Sequence, residues 1–192
     1  MITAYFVSEQ KLKEYTPVSQ NVDSGKLVSA IRISQDIVAK EALGQALYQK
    51  MMELITSGDI SNPTYVNYKN LLDNYIVPCA MWNAYYISLD FALVEYANVG
   101  LVSNNTEQGA SVDLATFKTI KNGAKHTADF YTEKLKLWLN NNTTLYPEFD
   151  KEVPGETEPD RSTYSTGIVF DSDGGYCRDQ WLFCGGFDKG NK

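Results

Sequence analysis

This chain predicts an all-α fold: a bundle of about five helices with an irregular N-terminal arm and a C-terminal extended or β-hairpin arm. Three observations carry that reading. Apolar residues recur at helical spacing through five stretches between Leu27 and Trp138. Turn-forming groups such as Ser57-Gly58-Asp59 and Asn104-Asn105 separate the stretches. Hydrophobic residues make up 43% of the 192 positions, enough for a core, and the pattern changes at Tyr146 into an acidic segment punctuated by Pro147, Pro154 and Pro159. The chain therefore divides into a helical body over 1–147 and an acidic tether with an interaction arm over 148–192.

The first two dozen residues hold no sustained period and are interrupted by Pro17, so they read as an arm with one helical turn. Asp23-Ser24-Gly25 offers a cap to a first helix, whose inward face would run Leu27, Ile31, Ser34, Ile37 and Val38. Gly44 marks a break or a close approach, and a second amphipathic stretch follows with Leu43, Leu47, Met51, Leu54 and Ile55. Asn62-Pro63 starts a third helix, because the Asn side chain accepts from free N–H groups and Pro is tolerated at the first helical position. That helix carries Tyr65, Tyr68, Leu72, Tyr75 and Ile76. Pro78 either kinks it or opens the next, and a new helix from about Pro78 to Asn98 is the expectation. This fourth stretch, with Trp82, Tyr86, Leu89, Leu93 and Tyr96 on one stripe and Met81, Ala84 and Phe91 elsewhere, is apolar nearly all round and belongs at the centre. After a polar loop over 100–109, the last helix, about Asp113 to Asn140, repeats Leu114, Phe117, Ile120, Ala124, Ala128, Tyr131, Leu135 and Trp138.

The formal charge of −7 is unevenly placed. Residues 1–147 hold 14 acids against 12 bases, 148–160 hold six against one, and 161–192 hold four of each. A body so nearly balanced lacks the basic footprint that general nucleic-acid binding requires. In the arm, Tyr164–Phe170 and Gln180–Cys184 read as strands around Asp171-Ser-Asp-Gly-Gly175. Burying its large apolar side chains contributes about 1.5–3 kcal/mol each, against about 1–2 kcal/mol of backbone entropy per residue ordered. Those terms nearly cancel, so the arm is expected to order only when docked. Tyr164, Ile168, Val169, Phe170, Trp181, Leu182 and Phe183 are its candidate interface residues.

No catalytic, metal or cofactor set emerges. His126 stands alone on the last helix, and Cys79, Cys177 and Cys184 have neither CxxC spacing nor histidine partners. Asp171-x-Asp173 suggests a calcium loop, but Gly175 and Leu182 fall where oxygen donors are needed. Phosphate-cradling and nucleophile-elbow motifs are lacking. No apolar run reaches the ~20 residues a bilayer crossing needs. Lys118, Lys121 and Lys125 form one basic stripe, fit for a phosphate or an acidic tether, or simply for solvent.

Four runs carry a resemblance: Ser29-Ala-Ile-Arg-Ile-Ser-Gln-Asp36, Ala42-Leu-Gly-Gln-Ala-Leu-Tyr-Gln-Lys50, Tyr68-Lys-Asn-Leu-Leu-Asp-Asn-Tyr-Ile-Val-Pro78 and Lys125-His-Thr-Ala-Asp-Phe-Tyr-Thr-Glu-Lys-Leu135. In these, over residues 25–147, the chain resembles the head-to-tail connector proteins of tailed bacteriophages, in particular the neck ring proteins of crAss-like phages. The resemblance implies a structural, non-enzymatic virion protein, made in the host cytoplasm and built into the neck at the head-tail interface. It implies a homo-oligomeric ring, commonly a dodecamer, that meets the portal and other neck or tail proteins and extends the DNA channel. Twelve chains at −7 carry a charge on the order of −84, which lets DNA slide through without specific binding if the acids face the lumen. The rival expectation is a small helical regulator binding nucleic acid through the lysine stripe.

Overall fold

Helices account for most of the computed structural model, which describes residues 4–19, 22, 24–97, 100–103 and 113–163. Helix α1 (Glu9–Tyr15) begins where Ser8 accepts from the Lys11 amide at 3.2 Å, and it buries Leu12. Helix α2 (Ser24–Ile33) runs without a break through a π-helical segment, Ser34–Ala39, into α3 (Lys40–Leu43). Gly44, at φ 72° and ψ 161°, separates α3 from α4 (Gln45–Ser57), and left-handed Gly58 ends α4. Asn62 accepts from the Thr64 amide at 3.1 Å, and a 3-10 turn at Pro63–Tyr65 leads into α5 (Val66–Leu71).

Helix α5 is continuous with α6 (Val77–Leu93) through a second π-helical segment, Leu72–Ile76. Pro78 thus lies in the first turn of α6 without a break. The wider turn just before it takes up the mismatch that proline's ring and missing N–H impose on an α-helical ladder. The helix ends at Leu93 rather than near Asn98. Where the helix end and the first residues of the polar loop were expected stands a short antiparallel hairpin, β1 (Val94–Ala97) with β2 (Gly100–Ser103), in register Val94 to Ser103 and Ala97 to Gly100; the rest of that loop, 104–109, lies outside the described residues. Helix α7 (Leu114–Asn141) opens on Asp113, whose carboxylate accepts from the Thr116 amide at 2.6 Å.

Helix α6 is the centre, packed by α2 on one side and α7 on another. Its most buried positions are small, Cys79, Ala80 and Ala84, so neighbouring helices approach closely. Trp82, Tyr86 and Leu89, expected on the inward stripe, are half-buried at its flanks. The first π-helical segment changes the register of α2 in the same way. One extra residue per turn brings Gln35 and Ala39 inside and leaves Ile37, expected in the core, 59% exposed.

Gln35 is buried and fully used. Its carbonyl accepts from the Phe6 amide at 2.9 Å, and its Nε2 donates to Ala4 O at 3.1 Å and to Tyr48 Oη at 3.0 Å. This hub fastens the N-terminal arm, and Phe6 adds an edge-to-face contact with Tyr48 at 5.6 Å.

Candidate functional site

The sequence placed its candidate surface on the C-terminal arm, and Tyr164, Ile168, Val169, Phe170, Trp181, Leu182 and Phe183 all lie outside the described residues. Cys177, Cys184 and the Asp171–Gly175 turn lie outside them too, as does Asp23. What the structure does describe is the root of that arm and the helix face beside it.

Residues 148–160 were expected to be an acidic tether extended by proline and like charge. In the structure residues 148–163 form a strap across the body. Just before the strap, the buried Tyr146 ring sits edge-on to Tyr68 at 5.6 Å, donates to Asn67 O at 3.2 Å and accepts from Trp138 Nε1 at 3.3 Å. Phe149 is buried to 1% and is covered by the Arg161 guanidinium, 4.6 Å from its ring centre. Glu148 accepts from Tyr68 Oη at 2.7 Å; burial, with that carboxylate second, pushes the Tyr68 phenol above its ordinary range.

The far half of the strap completes the helix break. A break between two helices leaves amides at the start of one and carbonyls at the end of the other without partners. Here the Gln45 amide, first in α4, donates to Thr157 O at 2.9 Å, while the Asp160 amide donates to Glu41 O in α3, also at 2.9 Å. Pro159 lies so close over Gly44 that an added Cβ would stand 2.7 Å from its Cδ. The strap then reaches α7. Lys136 Nζ meets Asp160 Oδ2 at 2.7 Å, and Asn140 Nδ2 donates to Arg161 O at 3.1 Å. The Lys136 bond, and after it Ser162, holds the Asp160 carboxyl down to about 2.

Next to that landing, α7 turns two large apolar side chains away from the core. Phe130 is 62% exposed and Leu137 49% exposed. With Tyr75 and Trp138, whose rings stack at 4.6 Å, they border an open groove of about 360 Å³, edged by Glu133, Lys134 and Asn141. Leu114 and Ile120, expected to face the core, are also exposed, while Ala124, Ala128, Leu135 and Leu139 carry the buried side.

The lysine stripe is only partly a free surface. Lys118 and Lys125 are exposed, but Lys121 is paired with Asp90 and stands 5.2 Å from the Tyr86 ring centre. The Asp90 bond raises the Lys121 ammonium above its ordinary value. Lys134 lies over Tyr75 at 5.3 Å. His126 is exposed, and burial pushes the Cys79 thiol up to about 11, leaving it a poor nucleophile. Among the described residues no cluster of His, Cys, Asp and Glu is arranged to hold a metal ion, and no helix is long and apolar enough to cross a membrane.

A family model spans the end of the first π-helical segment, α3 to α7 and the first part of the strap, residues 39–158. The chain belongs to the DUF6712 family. This is a family of unknown function, and no curated protein and no solved structure matches the chain. The DUF6712 match continues eleven residues past 147 and stops just short of Pro159, so it takes in the first part of the strap but not its landing on α7.

Proposed function

We propose that this DUF6712 protein is a structural subunit of a phage virion, assembling into an oligomeric ring in the neck, where it joins the portal to the tail and extends the DNA channel. The observation that carries the reading is the outward face of α7. Phe130 and Leu137 expose large apolar side chains on one side of the longest helix of the body, beside Tyr75 and Trp138. Apolar surface grouped in this way suits burial by another subunit. The connector resemblance names the kind of assembly that would bury it, and the C-terminal arm supplies a contact to a neighbouring subunit or neck component. The rival regulator loses support because Lys121, the middle of the basic stripe, is already paired within the body.

The test is electron microscopy of the full-length protein mixed with its cognate portal. Added ring density coaxial with the portal is the expected result. Bare portals, together with strong salt-sensitive binding of the monomer to DNA, would favour the regulator and sink the neck assignment.

A further inference from the structure

We infer that the groove on the outer face of α7 is the receptor for the C-terminal arm of the adjacent copy of this chain, with Trp181, Leu182 and Phe183 seated against Phe130, Leu137 and the stacked Tyr75–Trp138 pair. This rests on the ring reading and supplies the contact that the ring needs.

The strap determines where the arm begins. Through Lys136–Asp160 and Asn140–Arg161 O it brings the chain to the last turns of α7. Leu137, Trp138 and Asn141 line the groove on those same turns. Each copy therefore carries the root of its arm one helix face away from its own groove. Residues 164–180 extend at most ~3.3 Å each, roughly 56 Å in all. That exceeds the roughly 42 Å length that a 28-residue helix such as α7 has at about 1.5 Å per residue. Extended rather than folded as a hairpin, the arm therefore reaches further than the length of its own receptor helix.

A closed ring built from identical chains needs two different surfaces on each chain that fit one another. Arm and groove are such a pair, one of each per copy. Their charges agree as well: the chain carries −7, but residues 161–192 hold four acids and four bases, and the groove's edge carries one acid, Glu133, and one base, Lys134. The contact therefore meets no like-charge opposition. Aromatic side chains entering an aromatic-walled groove also have the composition of interface hot spots.

The experiment replaces Trp181 with the photocrosslinker benzoylphenylalanine in the full-length protein and mixes isotopically heavy and light copies, with and without portal. Crosslinked peptides joining residue 181 to the 130–141 segment, with mixed isotope labels, are expected. Phe130→Ser with Leu137→Ser, both on exposed positions, should reduce them at least about tenfold while helical circular dichroism is unchanged. Crosslinks carrying only one label would mean that the arm folds back on its own body, and would overturn the inference. Rings on portals without any link to α7 would overturn it while leaving the neck assignment intact. Mixed-label links in a protein that never decorates a portal would keep this contact and remove the neck. Neither links nor rings would remove both.

Discussion

The α6 centre and the C-terminal strap belong to one body, the first buried and the second lying on its surface, and opposite kinds of bonding hold them. Helix α6 satisfies its own backbone and is held by apolar contact on almost every side, with Cys79, Ala80 and Ala84 letting α2 and α7 close in. The strap has no ladder of its own. It is anchored by one aromatic, Phe149, and beyond that borrows partners from the body: the Gln45 amide, the Glu41 carbonyl and the Lys136 ammonium. An extended segment stays on a helical body where the helices themselves leave backbone groups unpaired, and the break at Gly44 provides them.

The comparison breaks most severely at its aromatic anchor. Phe149→Ala should cost about 3–5 kcal/mol in urea unfolding, and Leu135→Ala, a loss inside the helical core, about 2–5 kcal/mol. The two are separable by native-state hydrogen exchange. Only Phe149→Ala should free the Gln45 and Asp160 amides below the level of global unfolding. If both variants release them equally, the strap is no distinct unit.

Gly44→Ala tests the other end. The backbone there, φ 72° with ψ 161°, is a region open almost only to glycine, and the new methyl would meet Pro159. Strain and clash together should cost about 2–4 kcal/mol and loosen the strap before the helices. A neutral outcome would mean that Pro159 does not lie over the break.

How far such features are legible in sequence follows from what kind of atom makes them. The cores of α4 and α7 could be read, since Leu47, Met51, Ala124, Ala128 and Leu135 keep the helical period and are buried. Ile37 and Gln35 exchanged roles because a π-helical turn inserts a residue, and hydrophobic spacing counts residues without seeing hydrogen-bond register. The strap was read as a tether because its prolines and acids have that composition, while its partners at Gln45 and Glu41 are backbone atoms with no signature in the sequence. The α7 groove did leave a signal: Phe130 and Leu137 are apolar at positions that the core period of α7 leaves outside.

Gln35 gives the N-terminal arm a third kind of fastening, a buried amide serving several partners. Gln35→Leu keeps the volume but leaves the Phe6 amide and Ala4 carbonyl without their bonds, for a loss of about 1–3 kcal/mol by thermal unfolding. Unchanged stability would show that water reaches these groups.

The smallest effect belongs to the ion pair that ends the strap, and acid resolves it. Asp160 is held at about 2, below the ordinary 3.8, first by Lys136 and then by Ser162. A carboxylate depressed on folding contributes fully above about pH 4 and loses its contribution as the pH falls toward about 2, because the unfolded chain then binds the proton more readily. Partly exposed pairs of this type contribute about 0–1 kcal/mol, so the readout is local rather than global. The Ser162 amide donates to Asp160 Oδ1 at 2.9 Å, and its NMR shift should titrate near 2 in the wild-type protein. Lys136→Met should move that midpoint up toward 3.8. The Phe6 amide, bound to the uncharged Gln35, should stay still across the same range. A wild-type midpoint already at 3.8 would mean that Lys136 does not hold the strap, leaving Phe149 and the bonds at the helix break as its fastenings.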